Sequence, residues 1–243
     1  EVASDEVDVV VVAAGRGGSA DESRLQLLRD NVSIARSLGE KLRGHRGLVL
    51  CVTNPVDVFT HALREASGLP ASRVLGTGTS LDTARLRQVV ARELSIDPRS
   101  VHAQVIGEHG DSEVALFSSA TVGGARLRAR PGWSPEKEQG LGEEVRRAAY
   151  EIIRRKGTTN HAIGLATADV LRAILRDEHR VLTLSRLQED GVTLSLPTVV
   201  GRTGAIEVLA PELDDHERQA LARSTTVLRA AIDSVTSSTS SGT

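Results

Sequence analysis

The chain has 243 residues, 40% of them apolar and 26% charged, which is an ordinary globular composition with enough apolar material for one large core or two smaller ones. A net charge of −2 gives no electrostatic reason to expect nucleic acid or an anionic membrane as partner, and 2% aromatic content leaves few platforms for stacking bases. No apolar run is long enough to span a bilayer and no secretory signal is visible.

Val7–Ala13 reads as a parallel strand buried on both faces. The polar loop Gly15–Asp21 leads into a helix with apolar residues at Leu25, Leu28, Val32, Ala35 and Leu42, where Ser23 and Gln26 fit a capping box. Leu48–Val52 is a second buried strand. It carries the lone Cys51, which excludes an intrachain disulfide and points to a reducing, cytoplasmic setting. Asn54 is expected to cap the next helix, with Pro55 in its first turn, and Arg73–Leu75 to form a short third strand. This alternation implies a parallel sheet covered by helices.

Beyond Leu75 the pattern changes. A helix is expected over Ser80–Leu94, strands over Val101–Ile106 and Ala115–Val122, and helices over Pro135–Lys156 and Asn160–Arg176. Strands follow at Val181–Leu187, Val192–Val200 and Ala205–Leu209. An amphipathic helix, Leu213–Val235, closes the fold with Leu221, Leu228, Ala231, Ile232 and Val235 on one face. The expected organisation is α/β: a parallel-sheet unit over 1–75, an α+β unit over 76–235, and a Ser/Thr-rich disordered tail over 236–243.

The run Gly107-Glu108-His109-Gly110-Asp111-Ser112 leaves the strand ending at Ile106. Glycines on either side of Glu108-His109 allow a sharp turn, and an imidazole titrating near neutrality can give and take a proton. Alone, such a histidine is more often a structural turn residue. Four other segments change that reading: Glu22-Ser23-Arg24-Leu25, Val52-Thr53-Asn54-Pro55, Thr79–Arg87, and Lys156-Gly157-Thr158-Thr159-Asn160-His161-Ala162-Ile163-Gly164. In this order and spacing, over about Val7 to Val235, the chain resembles the L-lactate/malate dehydrogenase family, with the bacterial lactate enzymes nearest. The fold implied is the remainder of a Rossmann-type NAD domain followed by a substrate domain. The family's opening βαβ unit, with its Gly-rich fingerprint and the acidic residue after it, does not precede Val7 here. An upstream segment is therefore expected to be missing, and these 243 residues alone are expected to bind NAD poorly.

The resemblance implies the following roles. His109 is the acid/base group and Asp82 orients it, as in the Asp–His half of a hydrolase triad. Arg85 grips the substrate carboxylate through its planar fork. Arg24 polarises the reacting carbonyl from a closing loop. Asn54 and Thr159 contact substrate, while Ala13, Ala14, Gly15, Asn31, Val52, Asn54 and Ile163 contact NAD. Gly18 stands six residues before Arg24, where lactate enzymes of the family usually carry glutamine and malate enzymes arginine. A glycine supplies no cation for a second carboxylate, so pyruvate and L-lactate are the expected substrate pair, with Arg16 the nearest positive charge. Arg87 and His102 match the family's fructose 1,6-bisphosphate pair at a subunit interface, implying a homotetramer or dimer with an allosteric effector. The readings kept beside this one are a malate or broader 2-hydroxy-acid dehydrogenase, and a truncated, non-catalytic relative acting as a binding or structural protein. The seven histidines show no zinc-type spacing, so no metal is expected.

Overall fold

The computed structural model describes residues 7–17, 23–156 and 160–236, without the side chains of residues 24, 149–156 and 160. Gly18 and Thr159, and all but the first residue of the expected tail, lie outside the described residues.

Strands β1 (Val9–Val12), β2 (Leu48–Cys51) and β3 (Val74–Gly76) run parallel, joined by helices α1 (Arg24–Lys41) and α2 (Val56–Ser67). The sheet does not stop at residue 76. Antiparallel strands β7 (Arg180–Leu187), β8 (Thr193–Gly201) and β9 (Gly204–Val208) extend it beyond β3 in the order β1-β2-β3-β7-β8-β9, the join being Gly76 opposite Ser185. Between these halves come helix α3 (Ser80–Leu94) and a small antiparallel sheet of β4 (Val101–Ile106), β5 (Val114–Val122) and β6 (Ala125–Arg126). Helices α4 (Pro135–Lys156) and α5 (Asn160–Leu175) precede β7, and α6 (Asp215–Thr236) follows β9. Among the described residues no helix is long and apolar enough to cross a membrane.

Packing explains these elements. Strand β2 is wholly buried, as a central strand should be. Helix α2 is buried on nearly every side by α1, β8 and α6, and full burial of Phe59 or Leu63 contributes about 2–3 kcal/mol each. Helix α6 buries Leu228, Ile232 and Val235, with Leu221 and Ala231 partly covered beside them. At its start Glu217 accepts the N–H groups of Phe117 and Ser118, fastening the helix to β5. Trp133 packs on Phe117, and the second core gathers α3, β4, β5 and α4.

Two local expectations change. β1 is less buried than a strand covered on both faces: among the described residues it pairs with β2, and Val11 is 41% exposed. Asn54 does not cap α2. The helix starts one residue later, Pro55 takes the N-cap position without a side-chain cap, and its carbonyl accepts from the Phe59 N–H at 2.9 Å.

Candidate active site

The strand β4 delivers the histidine. Gly107 adopts a φ of +87°, and a Cβ there would stand 2.6 Å from Ser224 Oγ, so only glycine fits this turn. Its N–H and carbonyl both pair with Ser195 of β8 at 2.9 Å, which anchors the turn between the two sheets. The next N–H, of Glu108, donates to Ser224 Oγ at 2.7 Å, and the Glu108 carboxylate accepts from Ser112.

This turn brings His109 back onto α3. Its Nδ1 lies 2.6 Å from Oδ2 of Asp82, whose Oδ1 accepts from Arg85 Nη1 at 3.0 Å. Asp82 is 2% exposed and Arg85 and His109 are partly buried around it, so the three side chains form one charge cluster centred on a buried carboxylate and not a solvated helix pair. Burial alone would raise the Asp82 carboxyl, but the hydrogen bond and charge of His109, with Arg85, hold it below the ordinary value. Burial alone would lower the His109 imidazole. The bond and charge of Asp82, with the charges of Asp57 and Glu113, outweigh it and lift the ring to about 9. His109 therefore carries a proton at neutral pH. Among the described residues its Nε2 makes no hydrogen bond, and neither do Nε and Nη2 of Arg85.

Buried threonines fix the helix under this cluster. Thr79 Oγ1 donates to the Val105 carbonyl at 2.6 Å, Thr83 Oγ1 accepts from the Val105 N–H at 2.9 Å, and Thr83 meets Thr183 of β7 at 2.8 Å. The first turn of α3, and Asp82 with it, is thus stitched to the strand that leads to His109. Asp57 holds the histidine from the other side. This 2%-exposed acid of α2 accepts the His109 N–H at 2.8 Å and the Ser185 hydroxyl at 2.5 Å. Burial pushes its carboxyl up to about 6, against the pull of those two bonds. Sequence reasoning missed Asp57, because an acid in the first turn of a helix is common for reasons of the helix dipole alone.

The remaining predicted residues fall in two places. Ala13, Ala14 and Gly15 are exposed at the carboxyl end of β1, beside Val52 and exposed Asn54 at the end of β2. Asn31 is buried beneath them. Its amide accepts from the Arg16 N–H at 2.9 Å and donates to the carbonyls of Arg16 and Asn54 at 3.2 and 3.0 Å, so it ties the two loops together. Ile163 is half-buried on α5, and Arg24 opens α1. Away from the cluster, Arg87 Nε donates to the carbonyl of Ala103, the neighbour of exposed His102. Burial, then the nearby Arg180 charge, lowers the Arg87 guanidinium. Among the described residues no His/Cys/Asp/Glu group is arranged to hold a metal.

Residues 1–76 match the family model of the lactate/malate dehydrogenase NAD-binding domain, and residues 79–239 match that of its alpha/beta C-terminal domain. The chain belongs to the lactate/malate dehydrogenase family. It is 49% identical over 236 residues to an L-lactate dehydrogenase of Synechococcus sp. (strain JA-3-3Ab), covering 94% of this chain and 77% of the relative. To the L-lactate dehydrogenase of Thermus aquaticus it is 45% identical over 235 residues, covering 92% and 76%. The ligand-bound crystal structure of the minor L-lactate dehydrogenase from Enterococcus mundtii superposes with a TM-score of 0.91 at 36% identity, covering 95% of this chain and 77% of that one.

The family's cofactor is NAD, and the described residues fit one end of such a ligand. Small, exposed residues at the carboxyl ends of parallel strands are where an open α/β sheet receives a dinucleotide. The main chain there is held tightly from behind, since a Cβ on Gly15 would meet Thr53 Cγ2 at 2.3 Å.

Proposed function

We propose that the protein transfers a hydride between NADH and pyruvate to give L-lactate, with His109 as the acid and base. The observation that carries this reading is the 2.6 Å contact of His109 with a buried Asp82 whose other oxygen is held by Arg85. When bound, NADH supplies the hydride to the carbonyl carbon. The protein's own residues supply the proton and the orientation. His109, charged at neutral pH, gives the proton of Nε2 to the ketone oxygen, and its Nδ1–H stays directed at Asp82, which stabilises the imidazolium beforehand. In lactate oxidation the neutral ring takes that proton back. Arg85 offers Nε and Nη2 as a fork to the substrate carboxylate while Nη1 remains on Asp82. From the family pattern, Arg24 polarises the carbonyl on loop closure, and Asn54 and Thr159 line the substrate pocket.

Ala13, Ala14, Gly15, Val52 and Ile163 would contact the cofactor, and Asn31 would brace their loops. Residues 1–75 thus form the cofactor side and 76–235 the substrate side. Pyruvate is favoured over oxaloacetate because Gly18 supplies no cation and the Arg16 guanidinium is paired with Asp30 at 2.7 Å. The same family pattern supports an oligomer in which Arg87 and His102 take part in fructose 1,6-bisphosphate binding. The buried Cys51 thiol, pushed up to about 12 by burial, suits a reducing cytoplasm.

The test is NADH oxidation with pyruvate, oxaloacetate and a branched 2-oxo acid, with and without the bisphosphate, in the native chain and in His109→Gln. Pyruvate should be reduced fastest and the variant should be inactive. Preference for oxaloacetate, or turnover by the variant, would overturn the reading.

A further inference from the structure

Among the described residues His109 makes two hydrogen bonds of its own, and they lie at opposite ends of the residue. Its Nδ1 meets Asp82 of α3 at 2.6 Å, and its main-chain N–H donates to Oδ2 of Asp57 on α2 at 2.8 Å. One contact alone sets a distance and leaves the imidazole free to pivot about it. Two contacts, supplied by different helices, fix where Nε2 points.

The Asp57 carboxylate is itself held from two directions. Its helix is seated in the larger core through Val58, Phe59, Ala62 and Leu63. Its Oδ1 accepts the Ser185 hydroxyl at 2.5 Å, so each oxygen of this buried acid has a donor. Ser185 stands at the join of the main sheet, opposite Gly76 of β3 on one side and Ser195 of β8 on the other. Ser195 is the residue whose main chain pairs with Gly107, and its hydroxyl accepts the N–H of Thr79 at 3.1 Å, directly before α3. The two facing serines therefore hold the start of the His109 turn, the start of the Asp82 helix and, through Asp57, the main chain of the histidine.

We propose that Asp57 is a positioning residue for the proton donor: braced by Ser185, it fixes the His109 main chain so that Nε2 meets the carbonyl oxygen of the substrate. This rests on the reading of His109 as acid and base. The role needs an acceptor at the Oδ2 position and a partner for Ser185. An asparagine supplies both, because its carbonyl accepts from the His109 N–H and its amide donates to the Ser185 hydroxyl oxygen. An alanine supplies neither. Substrate binding should be spared in either case, since Arg85 belongs to α3 and its printed bond runs to Asp82.

Steady-state and single-turnover reduction of pyruvate by NADH at pH 7, in the native protein, read this directly. Asp57→Ala should lower kcat and the single-turnover rate constant roughly 100-fold, with KM for pyruvate and for NADH unchanged. Asp57→Asn should restore both to within about 5-fold of the unmutated chain. A merely structural role would lower the melting temperature and the amplitude of the single turnover but not its rate constant. Should Asp57→Ala fail to fold, Ser185→Ala removes the brace and keeps the carboxylate, and it should slow the single turnover about 10-fold. An unchanged rate constant in the folded variant, or Asp57→Asn as slow as Asp57→Ala, overturns the inference. An inactive His109→Gln beside an unaffected Asp57→Ala removes the role of Asp57 alone, whereas an active His109→Gln removes the reading beneath it.

Discussion

The corner around His109 and the platform at the ends of β1 and β2 are built in opposite ways. At the corner, Asp82 and Asp57 are both 2% exposed, and each is tied to His109 and to one more group. At the platform, residues 13–17 are exposed, and among their ties are one buried amide, Asn31, Thr53, whose hydroxyl donates to the Ala14 carbonyl at 2.9 Å, and the Arg16–Asp30 pair at the surface. The difference follows from the tasks. A proton donor needs its charge set in advance by fixed partners away from water, where they act strongly. A surface for a large cofactor needs accessible main chain and room. Rigidity has been concentrated where charge develops, and openness kept where a ligand must enter.

The strongest way to break this contrast is Asp82→Asn, which keeps the shape and removes the charge. The ring then loses the acceptor that selects its tautomer, and turnover should fall by roughly 10³-fold or more. The pH dependence of stability should change as well. A histidine whose folded pKa is raised contributes stability that is fully present below its unfolded pKa and is lost as pH rises through the folded value. In the unmutated chain that loss runs from about 6.5 to about 9. Denaturant titrations across this window should show a declining unfolding free energy in the parent and a shallower decline in the variant, from which the His109 contribution is gone. A smaller effect is expected of Arg85→Lys. A lysine retains the charge near Asp82 but has no planar fork, so KM for pyruvate should rise roughly 10- to 100-fold with a lesser change in kcat. An unchanged KM would mean that Arg85 serves only its partner on α3.

How much of this was legible in the sequence depended on range. Local signals held. Ser23 accepts the Gln26 N–H at 3.1 Å as a helix cap should, and α3, β4 and α4 have the bounds their periodicity implies. Even there the reciprocal half of the capping box is absent, because the Gln26 side chain donates to Asp30 instead. Failures came where neighbours in space decide. An apolar run such as Val9–Val12 does not say which of its side chains neighbours will cover, and Asn54 before a proline looks like a cap until Asn31 claims its carbonyl. Asp82 and His109 are 27 residues apart and Asp57 and His109 are 52 apart, distances at which no periodicity speaks. The first pair was readable only because five segments fell into a family register. Asp57 lies outside the quoted motifs, and its burial against the His109 N–H and Ser185 has no local sequence signal.

The finest test of the contrast lies at the platform. Asn31→Ala removes three hydrogen bonds that join the residue 16 main chain to the Asn54 carbonyl. The freed groups belong to exposed residues and water can replace the lost partners, so the cost should be about 1 kcal/mol and not the full penalty of buried orphans. What suffers is the relative placement of the two loops proposed to contact the cofactor. NADH affinity should weaken by about 5-fold, the equivalent of that energy. The His109 titration and kcat at saturating NADH should stay where they are, because none of the Asp82 and Asp57 contacts passes through Asn31. If kcat falls along with NADH affinity, or if the His109 ring titrates differently, the platform and the corner are mechanically one piece, and the division of labour drawn between them does not hold.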